Sequence, residues 1–301
     1  MRRTLPVAAG GLVALVACNS GTRDGAAGSA ETFSSDRLSV VTRGSGPDII
    51  LVPGLTSHRS VWDSVADKLD DRYRLHLVQV NGFAGTAPGA NADGPVSAPV
   101  AEEIARYITE SKLSQPAVIG HSMGGTIGML LAARHPGLVG RLMVVDMPAF
   151  MGQMFGPPGT TAETVRPIAD SMRAQMLAAP PDSFARTFGQ MIASMTHREA
   201  LRAGLLQSVR TSDQRTVANA FHELIMTDLR PELGRITAPL TVLYVIPPSA
   251  PIPAEQYEAG MRASFANAPG ARLLKIENSY HFIQFDQPER FVAEVDVFMR
   301  G

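Results

Sequence analysis

Beyond residue 35 the chain alternates two kinds of apolar pattern. Short unbroken runs (Ile49-Ile50-Leu51-Val52, Leu75 to Val80, Ala117-Val118-Ile119-Gly120, Leu142 to Val145) stop at turn residues such as Pro53-Gly54 and Asn81-Gly82. Between them lie stretches with apolar residues at helical spacing. These are Val61, Val65 and Leu69; Val100 to Ile108; and Met123 to about His135, closed by Pro136-Gly137. A strand buried on both faces shows no polar alternation. Unbroken runs separated by helices therefore predict an α/β fold, with a mostly parallel central sheet and helices on both faces. Leu38-Ser39-Val40-Val41 is expected as its edge strand.

The rhythm changes at residue 150. From 150 to 227 only helical spacing recurs. Phe184, Phe188, Met191, Ile192 and Met195 define one face, and Val165, Ile168, Met172 and Met176 another. The alternation resumes with a strand at Leu240 to Val245, a helix from Glu255 to Phe265, a strand at Arg272 to Ile276 and a closing helix on Phe291, Val295, Phe298 and Met299. The pattern divides the chain into a core of residues 36–149 and 228–301 and an inserted helical cap of residues 150–227.

Composition changes this picture mainly at the N-terminus. The 301 residues carry 27 Lys and Arg against 28 Asp and Glu, a balance that gives no electrostatic case for a nucleic-acid partner. The chain has one cysteine, which excludes an internal disulfide and a Cys-based metal cluster. That residue, Cys18, follows Leu15-Val16-Ala17, at the end of an apolar run from Leu5 that Arg2 and Arg3 precede. The run suits a signal peptide and falls short of the ~20 residues that span a bilayer. Its end resembles the lipobox of bacterial lipoproteins. The resemblance implies a signal segment 1–18, lipid attachment at Cys18 and a chain held to a membrane of the bacterial cell envelope. An ordinary signal peptide, cut elsewhere, is the alternative. Residues 19–35 are small and polar and are expected as a flexible tether.

The candidate chemistry centres on Gly120-His121-Ser122-Met123-Gly124. A G-x-S-x-G sequence acquires meaning when a strand precedes it and a helix follows, and both are expected here. The turn is too sharp for larger side chains at its glycines. It lifts the Ser122 hydroxyl clear of the strand and aims the Met123 N–H, at a helix N-terminus, where an oxyanion would form. From about Leu38 to Met299 the chain resembles the α/β-hydrolase family. Val52-Pro53-Gly54-Leu55, with Trp62 downstream, resembles the family's oxyanion loop, with Pro53 where a histidine is common. The resemblance assigns the second oxyanion donor to the Leu55 N–H. Asn81-Gly82-Phe83-Ala84-Gly85 resembles a further family turn, and Ser279-Tyr280-His281-Phe282, continuing to Asp286-Gln287-Pro288, resembles its histidine loop and final helix.

The chain has seven histidines. In this fold the order is Ser, acid, His, which removes His58, His76 and His121. His135 ends a helix, where a cation is stabilising, and His197 and His222 lie in the insertion. His281, after the last strand, is the candidate base.

The acid is less direct. The family usually carries it after the strand matched by residues 240–246, and those positions here are Ser249 or Ala250. Neither can orient an imidazole or offset its charge. Three alternatives stand: Asp146, at the end of the preceding strand; Glu255, in the first turn of the next helix; or no acid at all.

The resemblance implies a serine hydrolase that cleaves carboxylic esters through an acyl-enzyme, with a small-molecule acyl substrate and no metal or organic cofactor. Half of the 14 methionines fall in the cap. Their adaptable side chains suit an apolar substrate of small to medium size; the alternative, that they are core faces of amphipathic helices, fits Met172, Met191 and Met195 best. Other chemistries on this fold (haloperoxidase-like, carbon–carbon bond hydrolysis, acyl transfer) and a non-catalytic envelope binding protein are the rival readings. Nothing in the sequence sets an oligomeric state.

Overall fold

The structure is a computed structural model that describes residue 1 and residues 30–247, 250 and 252–301. The expected signal segment, Cys18, residues 19–29 and Ser249 lie outside the described residues.

Eight strands form one sheet: β1 (Ala30–Ser34), β2 (Leu38–Gly44), β3 (Asp48–Val52), β4 (Arg74–Val80), β5 (Ala117–His121), β6 (Arg141–Val145), β7 (Leu240–Tyr244) and β8 (Arg272–Lys275). Their spatial order is β1-β2-β4-β3-β5-β6-β7-β8. The pairs β1–β2 and β2–β4 are antiparallel, and all others are parallel. The sheet is therefore mostly parallel, as its unbroken apolar runs require. All five residues of β5 and of β7 are buried, as are the last four of β3 and β6.

The N-terminal strand corrects two expectations. Residues 30–34 belong to a strand rather than to a tether, and Leu38–Val41 is not the sheet edge, because β1 pairs outside it. Ala30 to Ser34 lack an apolar alternation: Phe33 packs on Tyr107, ring centroids 5.0 Å apart, and the backbone pairing with β2 leaves little trace in side-chain pattern.

Among the described residues, ten α-helices fill the intervals. In the first half they are α1 (Asp63–Ala66), α2 (Ser97–Glu110) and α3 (Met123–Arg134). The insertion holds α4 (Ala162–Ala178), α5 (Pro181–Ala193), α6 (Glu199–Thr211) and α7 (Gln214–Met226), and the last part α8 (Ala254–Ser264), α9 (Ile283–Asp286) and α10 (Pro288–Arg300). Val61, Val65 and Leu69, expected on one helix, are all buried, but α1 is a single turn between a 3-10 turn and further turns. In the insertion α4 packs on α7, and α5 on α6. On α5, Phe184, Phe188 and Ile192 are buried four residues apart, while Met191 is 38% exposed. The α4 face is narrower than its spacing predicts: Val165 and Ala169 are buried, and Ile168 is 41% exposed.

Register sets where the chemistry gathers. Val52 lies beside Gly120, Gly120 beside Val144, and Val145 beside Leu243. The loops leaving β3, β5, β6 and β7 thus emerge side by side at one edge of the sheet. Ligands of open α/β sheets bind at this carboxyl edge.

Candidate active site

Ser122 occupies the turn between β5 and α3 with φ 53° and ψ −121°, a conformation L-residues rarely adopt. The surroundings over-determine it. The Ser122 N–H donates to Val145 O at 2.9 Å, and Ser122 O accepts from the Gly125 N–H at 2.7 Å. The flanking glycines are steric requirements. A Cβ on Gly120 would lie 2.0 Å from Gly124 O, and one on Gly124 would lie 2.2 Å from Val52 O. Both contacts are with backbone, which cannot rotate away.

The loop leaving β3 passes close to this turn. A Cβ on Gly54 would sit 3.0 Å from the Ser122 Cβ, so the peptide that follows it can approach the serine. Thr56, at φ 60°, donates its hydroxyl to Leu55 O at 2.6 Å. The N–H groups of Leu55 and Met123 have no acceptor among the described residues. Free N–H groups at a helix N-terminus are donors suited to an oxygen that carries negative charge.

Asp146 follows β6, also at a positive φ, 52°. Its N–H donates to Leu243 O at 2.7 Å. Its Oδ1 accepts from the Val245 N–H at 3.0 Å, and its Oδ2 lies 2.6 Å from His281 Nδ1. A carboxylate only accepts, so Nδ1 carries the proton and Nε2 is left as the basic nitrogen. The end of β7 thus supplies a backbone donor that orients the carboxylate, where the sequence pattern calls for the carboxylate itself. Glu255 lies exposed in the first turn of α8 and makes no hydrogen bond to His281.

His121, set aside by chain order, has a different task. It is 1% exposed, and its Nε2 donates to His281 O at 3.0 Å, which fixes its tautomer. Burial, and then the nearby His281, hold its pKa well below the ordinary imidazole range, so the ring is neutral. A neutral donor therefore ties the serine turn to the histidine loop.

Ser122, Asp146 and His281 open on one cavity of about 510 Å³. Leu55 borders it from the β3 loop. The insertion contributes Met151, Met154, Phe188, Met191 and Phe221 to its lining. Tyr257 and Met261, four residues apart on α8, line it as well. Sequence reasoning missed Tyr257. Its phenol pKa is pushed up by burial and then by the Asp146 carboxylate, which keeps it a neutral donor. The i, i+4 spacing of Tyr257 and Met261 was the available signal. Among the described lining residues there is no Lys or Arg.

A serine on a strained strand-to-helix turn, with a carboxylate-bonded histidine in the same cavity at the sheet's carboxyl edge, is the arrangement of an α/β hydrolase. Residues 49–294 match the Alpha/beta hydrolase family, and the chain belongs to that family. It is similar to a pimeloyl-[acyl-carrier protein] methyl ester esterase of Nitrosomonas europaea, 24% identical over 86% of this chain and 98% of that one. The esterase of the same description from Aeromonas hydrophila is 28% identical over 87% and 99%. Among solved structures, an esterase from Exiguobacterium antarcticum superposes with a TM-score of 0.71 at 23% identity, covering 88% of this chain and 96% of that one. The enol-lactonase of Burkholderia xenovorans LB400 does so with a TM-score of 0.70 at 18% identity, covering 88% and 96%. These two likenesses speak to the fold.

Proposed function

We propose that this ester-hydrolysing enzyme acts through a Ser122–His281–Asp146 triad on uncharged, apolar carboxylic esters of small to medium size. Ser122 Oγ attacks the carbonyl carbon while its proton passes to His281 Nε2. The N–H groups of Leu55 and Met123 hold the oxyanion. Collapse of the tetrahedral intermediate expels the alcohol, which takes the proton from His281. Water, deprotonated by the same nitrogen, then attacks the acyl-enzyme; as that intermediate collapses, Ser122 Oγ takes the proton back from His281 and the acid leaves. Asp146 holds the imidazole in the required tautomer and offsets its transient charge.

The observation that carries this reading is the 2.6 Å bond from His281 Nδ1 to Asp146 in a cavity shared with Ser122. A binding protein without catalysis drew its support from the missing acid after β7. That support weakens once the histidine has a carboxylate partner from β6. The substrate class rests on the lining. An unpaired carboxylate buried in an apolar cavity without a cation costs several kcal/mol. The relatives' named activity, on a methyl ester, fits the same demand.

A fluorophosphonate probe tests the nucleophile without knowledge of the substrate. Rapid adduct formation at Ser122, abolished in Ser122→Ala and slowed in His281→Ala, is the expected result. No adduct on folded protein over hours sinks the reading. Acid and alcohol in equal amounts from a methyl ester separate hydrolysis from acyl transfer and peroxide chemistry. We further propose that Cys18 carries lipid and holds the enzyme in the cell envelope. Detergent phase partitioning of the full chain against Cys18→Ala tests this; both remaining in the aqueous phase would rule it out.

A further inference from the structure

The loop between α5 and α6 belongs to the cap, yet it is bonded to both flanks of His281. On one side the Phe282 N–H donates to Met195 O at 3.2 Å. On the other, the Tyr280 N–H donates to Asp286 Oδ2 at 2.8 Å, and Asp286 Oδ1 takes the Thr196 hydroxyl at 2.6 Å. His197 Nδ1 stands 3.5 Å from the same carboxylate, and its ring meets Tyr280 edge to face at 5.6 Å. The Asp286 side chain is fully buried, as is Thr196. From α6, Arg202 donates to Thr196 O at 2.9 Å.

This arrangement is more than packing demands. A buried carboxylate is costly unless its oxygens are satisfied by well-placed donors. Here each oxygen is used to join the histidine loop to a stretch of cap whose Met195 lines the cavity. Where an acyl chain presses on that wall, the same peptide segment bears on the backbone of the base.

We propose that Asp286 and Thr196 are positioning residues, through which filling of the acyl end of the cavity sets the placement of His281. The proposal rests on the triad reading above and deepens it. Its consequence is kinetic. Contact between a longer acyl chain and the cap is spent on orienting the base, so chain length raises kcat and not only affinity. A displacement of about 1 Å at a catalytic group costs on the order of a hundredfold, so a fraction of that movement supports a tenfold effect.

The test compares p-nitrophenyl acetate with p-nitrophenyl octanoate on the full chain. Wild type is expected to show about a tenfold higher kcat on octanoate. In Thr196→Val the ratio falls to near one, while KM for octanoate changes by less than about threefold. Thr196→Ser, which restores the hydroxyl, recovers the ratio. The downfield proton resonance of the His281–Asp146 bond broadens or shifts in Thr196→Val and is restored in Thr196→Ser. Should Thr196→Val fail to fold, Asp286→Asn is read in the same way. A wild-type ratio retained in Thr196→Val, or no length dependence of kcat in a wild type whose Ser122 takes the fluorophosphonate, overturns the proposal alone. A wild type that neither takes the probe nor cleaves either ester overturns the triad reading and this proposal with it.

Discussion

The two walls of the cavity are built differently. On the sheet side, Ser122 and Asp146 both sit at positive φ, and each has its N–H bonded across to the neighbouring strand. The strands beneath them are buried almost throughout. On the cap side, α4 buries Val165 and Ala169 and α6 buries Leu205 and Val209, while α5 and α7 bury more of one face. Ile168, Leu177, Met191, Leu201 and Leu206 are each 37–41% exposed. Backbone strain and strand register fix the first wall, whereas side-chain packing, tied to the histidine loop through Met195 and Thr196, shapes the second. Chemistry that depends on tenths of an ångström belongs on the first, and tolerance of substrate shape on the second.

Mutations should respect that division, and the largest effects lie on the sheet side. Asp146→Asn is expected to lower kcat by on the order of 10³–10⁴, because the amide favours the wrong histidine tautomer and cannot offset imidazolium charge. Glu255→Gln, in the first turn of α8, should leave most activity. Comparable losses in the two variants, measured on any cleaved ester, would erase the distinction between the ends of β6 and β7. Next comes the turn itself. Gly124→Ala drives a Cβ to 2.2 Å from Val52 O. Neither partner can yield, so it should destabilise the fold by about 3 kcal/mol or more in urea titration and abolish labelling of Ser122. An alanine tolerated there would show the sheet-side wall to be as pliable as the cap.

The same division explains what the sequence could disclose. The buried strands, the helical insertion and the G-x-S-x-G turn were legible because burial and steric need write themselves into residue type. Ile49 to Val52 must be apolar, and Gly120 and Gly124 must lack a Cβ. The partner of His281 was not legible to that degree. Asp146, Glu255 and no acid at all stayed open, because a carboxylate can reach the same point from either strand end, and only register decides which is near. β1 was missed because it pairs by backbone. The clasp through Asp286 was invisible for a related reason, since its Thr196 lies 90 residues away in a segment with no sheet to define its place.

A smaller effect separates the walls by pH. His121 and His76 are buried in the core, and burial lowers the pKa of each below the ordinary imidazole value. The unfolded chain then binds protons that the fold does not. Stability from the neutral rings is therefore complete above about pH 6.5 and declines as pH falls below it, towards the depressed folded pKa. A group that titrates only in the unfolded state changes stability by about 1 kcal/mol per pH unit. Melting temperature should fall between pH 7.5 and 5.5 in wild type, and fall less in His121→Gln. Equal falls would mean that His121 protonates in place, which its hydrogen bond to His281 O and its burial oppose.

The smallest effect belongs to the cap rim. Met191 lines the cavity yet is 38% exposed, so it can lend only part of its surface to a bound acyl chain. Removing a methylene's worth of apolar contact costs about 0.8 kcal/mol, and a half-exposed thioether offers about one such contact. Met191→Ala should therefore raise KM for an octanoate ester by about threefold to fivefold and leave KM for acetate nearly unchanged. The kcat on acetate should also hold, since Met191 makes no bond to the histidine loop, in contrast to Met195 and Thr196. A hundredfold loss of kcat from this one exposed side chain would place catalytic precision in the cap and dissolve the contrast between the walls. A pure KM effect that grows with acyl length would locate the substrate's chain along α5, and so fix which end of the ester enters first.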